Sequence, residues 1–358
     1  MLYKVTRPLL FLLEPEIAHR LTFTALDAVH ALGLAQVLTP RVRSLPVNVM
    51  GLRFPNPVGL AAGLDKTAAH IDALGHLGFG FIEAGTVTPR AQPGNAKPRV
   101  FRLPASRAII NRMGFNNDGV ESFVDNVRHH VSYRSRGGII GLNIGKNADT
   151  PIETALDDYR ACLRSVYDEA DYVAVNISSP NTEGLRSLQA TRQLDALLAG
   201  LTDERKRLED RHQKRVPLAV KIAPDIADES VPEMTEAFVA HGIDAVIATN
   251  TTLVRDGVQG ERHAAQTGGL SGLPLRQRAT EIIYLLSRSL QGALPIIGVG
   301  GIMRGADAVE KFQAGASLVQ LYTGFIYCGP QLIAQCVDAL RASGCVASSP
   351  PGLAKQLA

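Results

Sequence analysis

The 358-residue sequence is short of the features that announce several protein classes. Its four cysteines, Cys162, Cys328, Cys336 and Cys345, include no CxxC spacing, and its nine histidines form neither HExxH nor a His-x-His pair. Neither a metal centre nor a disulfide framework is therefore expected, and the thiols read as reduced, in a cytosolic setting. An excess of one charge is missing too: 37 Lys and Arg stand against 34 Asp and Glu, a net +3, with the basic residues scattered along the chain. That argues against a nucleic-acid partner while leaving room for mild attraction to an anionic membrane surface. Long apolar runs are also absent from the N-terminal region. Leu9 to Leu13 lies between Pro8 and Glu14 with no small-residue cleavage site behind it. Such a run is too short for a signal-peptide core and far short of the ~20 residues that cross a bilayer. No internal repeat or low-complexity segment is evident.

What the chain does have is apolar bulk, 46% of its residues, arranged in a regular alternation. From about residue 58, short apolar runs alternate with longer helical patterns, the signature of βα units and a parallel sheet. The candidate strands are Val58 to Ala62, Phe79 to Ala84, Ile139 to Asn143, Asp171 to Ile177, Pro217 to Ile222, Ala245 to Asn250, Pro295 to Val299 and Leu318 to Tyr322. Eight strands are what a closed (β/α)8 TIM barrel of the α/β class requires. Two turn-rich stretches, Pro89 to about Asn117 and Leu253 to about Gly272, interrupt the alternation and read as loops that leave strand ends and cover a pocket. Ahead of the barrel, residues 1–40 predict a pair of short amphipathic helices. Leu9 to Leu13 marks the first, Ile17, Leu21, Ala25, Leu26, Val29 and Leu32 recur at helical spacing in the second, and Lys4 and Arg7 add positive charge. Such helices either cap the barrel or dip one face into a lipid interface. Residues 41–340 would form the barrel and 341–358, rich in Ser, Pro and Ala, a loose tail.

Chemistry-bearing residues collect at the predicted strand exits, where barrel enzymes carry their sites. Asn176-Ile177-Ser178-Ser179-Pro180-Asn181-Thr182 follows the fourth strand. Its carboxamides suit the imide and carboxylate edges of a small planar substrate, and Ser179, held rigid by Pro180, is the group there able to take a proton. An Asx/Ser turn without chemistry is the plain alternative. Ala61-Ala62-Gly63-Leu64-Asp65-Lys66 closes the first strand with small residues, against which a flat ring can lie, and then a lysine that reaches toward its substrate. Thr86, Asn143 and Thr249-Asn250-Thr251 also fall at strand ends. Asn111-Arg112-Met113-Gly114-Phe115-Asn116-Asn117, placed over the first strand's exit, would offer Asn111 to a substrate and Phe115 as a wall against water. Glycines at Gly298, Gly300 and Gly301, and the Tyr322-Thr323-Gly324 turn, follow the seventh and eighth strands, the usual phosphate cradle of a barrel. Lys221, inside the apolar strand 218–222, needs a partner for its charge. It could offset negative charge on a reduced flavin, form a Schiff base, or snorkel to the strand end.

Taken together, residues 62–66, 111–117, 176–182, Lys221, 249–251, Leu270-Ser271-Gly272 and Gly300-Gly301 resemble dihydroorotate dehydrogenases, in the same order and spacing from about residue 45 to about 335. The serine at 179 is similar to that of the membrane-associated, quinone-dependent class (class 2), whose helical pair forms a quinone entrance. The resemblance implies oxidation of dihydroorotate to orotate in pyrimidine biosynthesis, with one FMN per chain and ubiquinone or a similar quinone as acceptor. It implies Ser179 as the base, and FMN contacts from Ala62, Gly63, Lys66, Thr86, Asn143, Asn176, Lys221, Thr249, Gly272, Gly301, Tyr322 and Thr323. Lys66, Asn111, Arg112, Met113, Gly114, Phe115, Asn176, Asn181, Asn250 and Thr251 would hold the substrate. It further implies a monomer lying peripherally on the cytoplasmic face of the inner membrane. Rival readings are another FMN barrel acting on pyrimidine rings, such as a dihydrouridine synthase, which would be expected to show a basic face and a cysteine acid, an aldolase-type barrel using Lys221, and a non-catalytic scaffold.

Overall fold

The expected apolar runs become eight parallel strands that close on themselves in the order β3, β4, β7, β8, β9, β10, β12, β13 and back to β3. They span Val58–Leu60 (β3), Phe81–Val87 (β4), Ile139–Ile144 (β7), Tyr172–Asn176 (β8), Leu218–Ile222 (β9), Ala245–Ala248 (β10), Ile296–Val299 (β12) and Leu318–Leu321 (β13). The computed structural model describes residues 2–34 and 41–346. The barrel is therefore the (β/α)8 fold expected, with helices outside each strand crossover. Strands β4, β8, β9 and β10 are buried at every residue, which is why they read as apolar runs rather than alternating ones.

Side chains still alternate between the two faces. Val173, Val175, Val220 and Val246 point out into the layer beneath the helices. Tyr172, Ala174, Ala219, Ala245, Ile247 and Ile297 fill the barrel. Small residues make room for rings there: a Cβ on Gly59 would lie 2.4 Å from the Phe81 ring, and one on Gly141 would lie 2.1 Å from that of Tyr172. A two-stranded hairpin, Val47–Val49 (β1) and Leu52–Phe54 (β2), joins this interior cluster through Val49 and Phe54. The Phe54 ring meets Phe81 edge-on at 5.2 Å. The hairpin was not expected, because each of its strands has an exposed polar residue at its centre, Asn48 and Arg53, so no apolar run marks it.

The two interrupting stretches also differ from expectation. They are not separate loops: Val100–Leu103 (β5) and Ala108–Asn111 (β6) from the first form an antiparallel pair, and β6 pairs in turn with Gly269–Gly272 (β11) from the second. Their partners lie some 160 residues apart, so nothing local signals the pairing. The C-terminal stretch is corrected as well, because residues 341–343 complete the helix Gln331–Ser343. The rest of that expected tail, from residue 347, lies outside the described residues, as do residues 35–40 of the N-terminal segment.

The two N-terminal helices are Leu2–Leu12 (α1) and Pro15–Ala31 (α2). Glu14 caps α2 by accepting from the amides of Glu16 and Ile17, and Pro15 occupies its first turn, where no amide hydrogen is needed. The pair is docked on the barrel. Arg7 donates to the carbonyl of Tyr327 at 2.7 Å, and Arg102 donates to that of Leu13 at 2.8 Å. The nearly buried guanidinium of Arg99 grips Glu16 at 2.9 Å while also donating to the carbonyls of Pro93 and Asn95. Replacing Arg99 with Met would leave the largely buried Glu16 carboxylate with only the exposed Lys97 ammonium, at 3.8 Å. A loss of about 3 kcal/mol in urea unfolding is expected, and an unchanged midpoint would refute this account of the clamp.

Candidate active site

At the strand exits the chain leaves a cleft of about 990 Å³, part of it continuous with solvent. Its floor and walls come from Ala61, Ala62, Gly63 and Lys66 after β3, Thr86 in β4, Asn176, Ser179 and Asn181 at and after β8, Lys221 in β9 and Thr249, Asn250 and Thr251 after β10. Gly300 and Gly301 after β12 and Tyr322, Thr323 and Gly324 after β13 form one rim. The β5–β6–β11 sheet and the loop behind it close the other side with Asn111, Met113, Gly114, Phe115, Ser271 and Gly272. Phe115 does not sit over the first strand alone: its ring lies beside Gly145, where β7 ends, next to Thr86.

Two expected site residues are placed elsewhere. Arg112 turns away from the cleft because strand neighbours alternate faces and Asn111 takes the inward one. Its guanidinium donates to Gln266 Oε1 at 2.8 Å and to the Pro98 carbonyl at 2.9 Å, and lies over the Phe101 ring at 4.7 Å. Asn143 is fully buried one layer behind the floor, with Oδ1 accepting from Thr86 Oγ1 at 2.5 Å and Nδ2 donating to Glu83 at 2.8 Å.

The remaining side chains hold one another in fixed orientations. Asn176 donates through Nδ2 to Thr86 Oγ1 at 3.0 Å and accepts through Oδ1 from Ser178 Oγ at 3.0 Å and Asn250 Nδ2 at 3.4 Å. Asn181 Nδ2 donates to Asn111 Oδ1 at 3.4 Å, joining the fourth strand's loop to the covering sheet. Ser179 is 5% exposed, and its Oγ accepts only the Asn181 amide hydrogen, at 3.2 Å, so its proton is free to point elsewhere. Thr182 Oγ1 and Thr251 Oγ1 are buried with no hydrogen-bond partner in the protein. Unsatisfied buried hydroxyls are costly, which marks both as groups built to meet something else.

Two lysines give the cleft its charge. Lys66 Nζ donates to the Gly63 carbonyl at 2.6 Å, and burial, with the nearby Arg99 cation second, pushes its pKa down to about 8. Burial also lowers the pKa of Lys221, against the pull of Glu83, whose carboxylate lies 3.9 Å from Nζ. Glu83, Tyr172 and Gln320 were missed from the sequence. A single acid in the buried run Phe81-Ile82-Glu83-Ala84 is the same anomaly as Lys221 and could have been found the same way. The rim is built by close main-chain approach. Gly301 has φ +74°, and a Cβ there would lie 2.3 Å from Arg276 Cα, at the start of the helix Arg276–Leu290. Among the described residues, no group of three or more His, Cys, Asp and Glu side chains could hold a metal ion.

Carboxamides, a free hydroxyl, one buried and one half-buried lysine and a glycine rim at the open end of a closed parallel barrel define a (β/α)8 enzyme site for a flat, anionic ligand. The sequence model of dihydroorotate dehydrogenase matches residues 44–343. A protein of Ralstonia nicotianae named dihydroorotate dehydrogenase (quinone) is 58% identical over 339 residues, covering 95% of this chain and 98% of that protein. One of the same name from Burkholderia multivorans is 60% identical over 339 residues, covering 95% and 97%. The ligand-free crystal structure of DHODH from Eimeria tenella superposes with a TM-score of 0.83 at 38% identity over 93% of this chain and 97% of that one. The chain belongs to the dihydroorotate dehydrogenase family.

Proposed function

We propose that this chain oxidises dihydroorotate to orotate with FMN bound in the cleft and delivers the electrons to a quinone. The observation that carries the reading is the convergence of Ser179, five carboxamide and hydroxyl side chains (Asn111, Asn176, Asn181, Asn250, Thr251) and Lys66 on one cleft floored by Lys221 and rimmed by glycines. The residues fit a phosphorylated flavin. Lys221 is buried with no anion closer than 3.9 Å, Thr251 Oγ1 lacks a partner, and Gly272, Gly301 and Thr323 line the rim where backbone can approach an anion. Ala62 and Gly63 leave flat space for a ring, and Thr86, Asn176, Lys66, Thr249 and Tyr322 surround it, with Asn143 supporting from behind. FMN, when bound, supplies the two-electron acceptor that takes hydride from C6 of the substrate and gives electrons up to the quinone.

The chain's own residues do the rest. Asn111, Asn181 and Asn250 orient the pyrimidine, and the Lys66 ammonium faces its carboxylate. Ser179 Oγ removes the proton from C5. A neutral serine is a weak base, so the proton must move on, and Thr182, three residues away with an unpartnered buried hydroxyl, is placed in the same loop to receive it with a water shielded by Phe115. Schiff-base use of Lys221 fits less well, because the adjacent Glu83 carboxylate favours the ammonium form and a Schiff base needs the free amine.

The quinone and the membrane belong to the N-terminal helices. Val5, Leu9, Leu12, Ile17, Leu21 and Leu32 are exposed there, Leu12 at 83%, a concentration of outward apolar side chains that a lipid interface would cover. Among the described residues no helix is long and apolar enough to cross a membrane. Under this reading the contact is peripheral, at the cytoplasmic face of the inner membrane.

Ser179→Ala should slow anaerobic bleaching of the bound flavin by dihydroorotate by ~10²- to 10⁴-fold while the protein stays yellow, and an unchanged rate would reject the assignment. Lys66 must be an ammonium to meet the substrate carboxylate, and its pKa is lowered to about 8, so the cation is present below that pH and lost above it. The kcat/KM for dihydroorotate should accordingly fall as pH rises through about 8, and Lys66→Met should remove that limb. Replacing Val5, Leu9 and Leu12 together with Ser should abolish reduction of vesicle-borne quinone and leave flavin bleaching intact. Equal loss of both would assign the helices a structural role only.

A further inference from the structure

Glu83 is the one acid inside the barrel interior among the described residues that touches the cleft's cation, and it is 0% exposed. Its carboxylate accepts from three side chains on three strands: Asn143 Nδ2 at 2.8 Å, Tyr172 OH at 2.9 Å and Gln320 Nε2 at 2.6 Å. An ionised carboxylate only accepts, and this has a consequence for each neighbour in turn. Asn143 must show it Nδ2, which turns Oδ1 to the Thr86 hydroxyl. Thr86 then donates to Asn143 and keeps a lone pair for Asn176 Nδ2. Asn176 Oδ1 is thereby left facing Ser178 and Asn250, beside the loop that carries Ser179. On its other side the carboxylate stands 3.9 Å from Lys221 Nζ. Burial disfavours that ammonium, and Glu83 is the charge that opposes the loss. Of the other titratable groups, Tyr172 reaches into the interior from β8 with its phenol held neutral by burial, and Lys66 lies in the cleft itself.

We propose that Glu83 is a positioning residue: its buried carboxylate keeps Lys221 an ammonium on the cleft floor and sets the donor and acceptor directions of Asn143, Thr86 and Asn176 along it. The inference rests on FMN occupying the cleft and goes beyond the residues that line it. Glu83→Gln keeps the shape, removes the charge and gives the carboxyl position a donor where Asn143, Tyr172 and Gln320 all donate.

The test is a pH titration of the flavin's visible spectrum in the purified holoenzyme, with no turnover. E83Q should show an ionisation between about pH 5 and 9 that the native protein lacks, the range to which buried lysines without a counter-charge fall. The double variant E83Q/K221M should lose it again. A yellow E83Q protein that titrates like the native one overturns the proposal, as does an extra ionisation that survives in the double variant. A fall in thermal stability alone, with the titration unchanged, does so too. Should E83Q not accumulate in folded form, Glu83→Asp carries the same test, because the shorter side chain draws the charge back from Lys221 Nζ: the extra ionisation should enter the same window in E83D and vanish in E83D/K221M, and an E83D protein that titrates like the native one refutes the role. Native protein purified without a yellow cofactor would instead overturn the FMN reading itself.

Discussion

A parallel sheet of eight short strands has two unsatisfied edges unless it closes, and closure forces every strand to end at the same mouth. That constraint decides where the chemistry of this protein can be. The end near the strand starts is packed solid with the rings of Phe54, Phe81 and Tyr172. The opposite end stays open, and side chains that finish their strands, Thr86, Asn176 and Lys221 among them, have nowhere to go but a shared floor. Short loops there let glycines bring backbone from β12 and β13 up to one rim.

Closure also creates the problem that the polar network solves. Charged and amide groups in a barrel interior are costly unless each finds a partner, and here the partners come from strands far apart in sequence. Glu83 in β4, Tyr172 in β8, Lys221 in β9 and Gln320 in β13 meet only because the sheet is round. The same network that satisfies the interior is rigid enough to hold Asn176 and Thr86 in single orientations at the floor. Stability and preorganisation of the site are thus one arrangement.

Around this rigid body sit two additions with different jobs. The β5–β6–β11 sheet covers the cleft with parts of two insertions, so that Asn111 and Phe115 approach from above the strand exits. The helices α1 and α2 keep their polar contacts for the barrel, through Arg7, Glu16 and His19, which faces the Leu64 carbonyl at 2.8 Å, and leave leucines outward. His19 thus fixes α2 beside Leu64, two residues from Lys66 in the cleft wall.

Much of this was legible in the chain, for identifiable reasons. Buried parallel strands must be continuous apolar runs, so all eight could be read. Polar residues at their ends, such as Asn176, Ser179 and Thr249 to Thr251, stood out against that background, and the N-terminal helices showed in the spacing of Ile17, Leu21 and Leu32. The strands β1 and β2, interrupted by exposed Asn48 and Arg53, make no apolar run, and the pairing of β6 with β11 links residues 108–111 with 269–272, which no local signal reports. Which of two neighbours faces the cleft was likewise undecided: Asn111 does and Arg112 does not, because the antiparallel register assigns the faces. Residue type and order determined what chemistry was available, since hydroxyl, amide and ammonium are properties of single side chains. Only the closed barrel decided which of them meet, because a contact such as that of Glu83 with Lys221 depends on the path of the intervening backbone rather than on either residue.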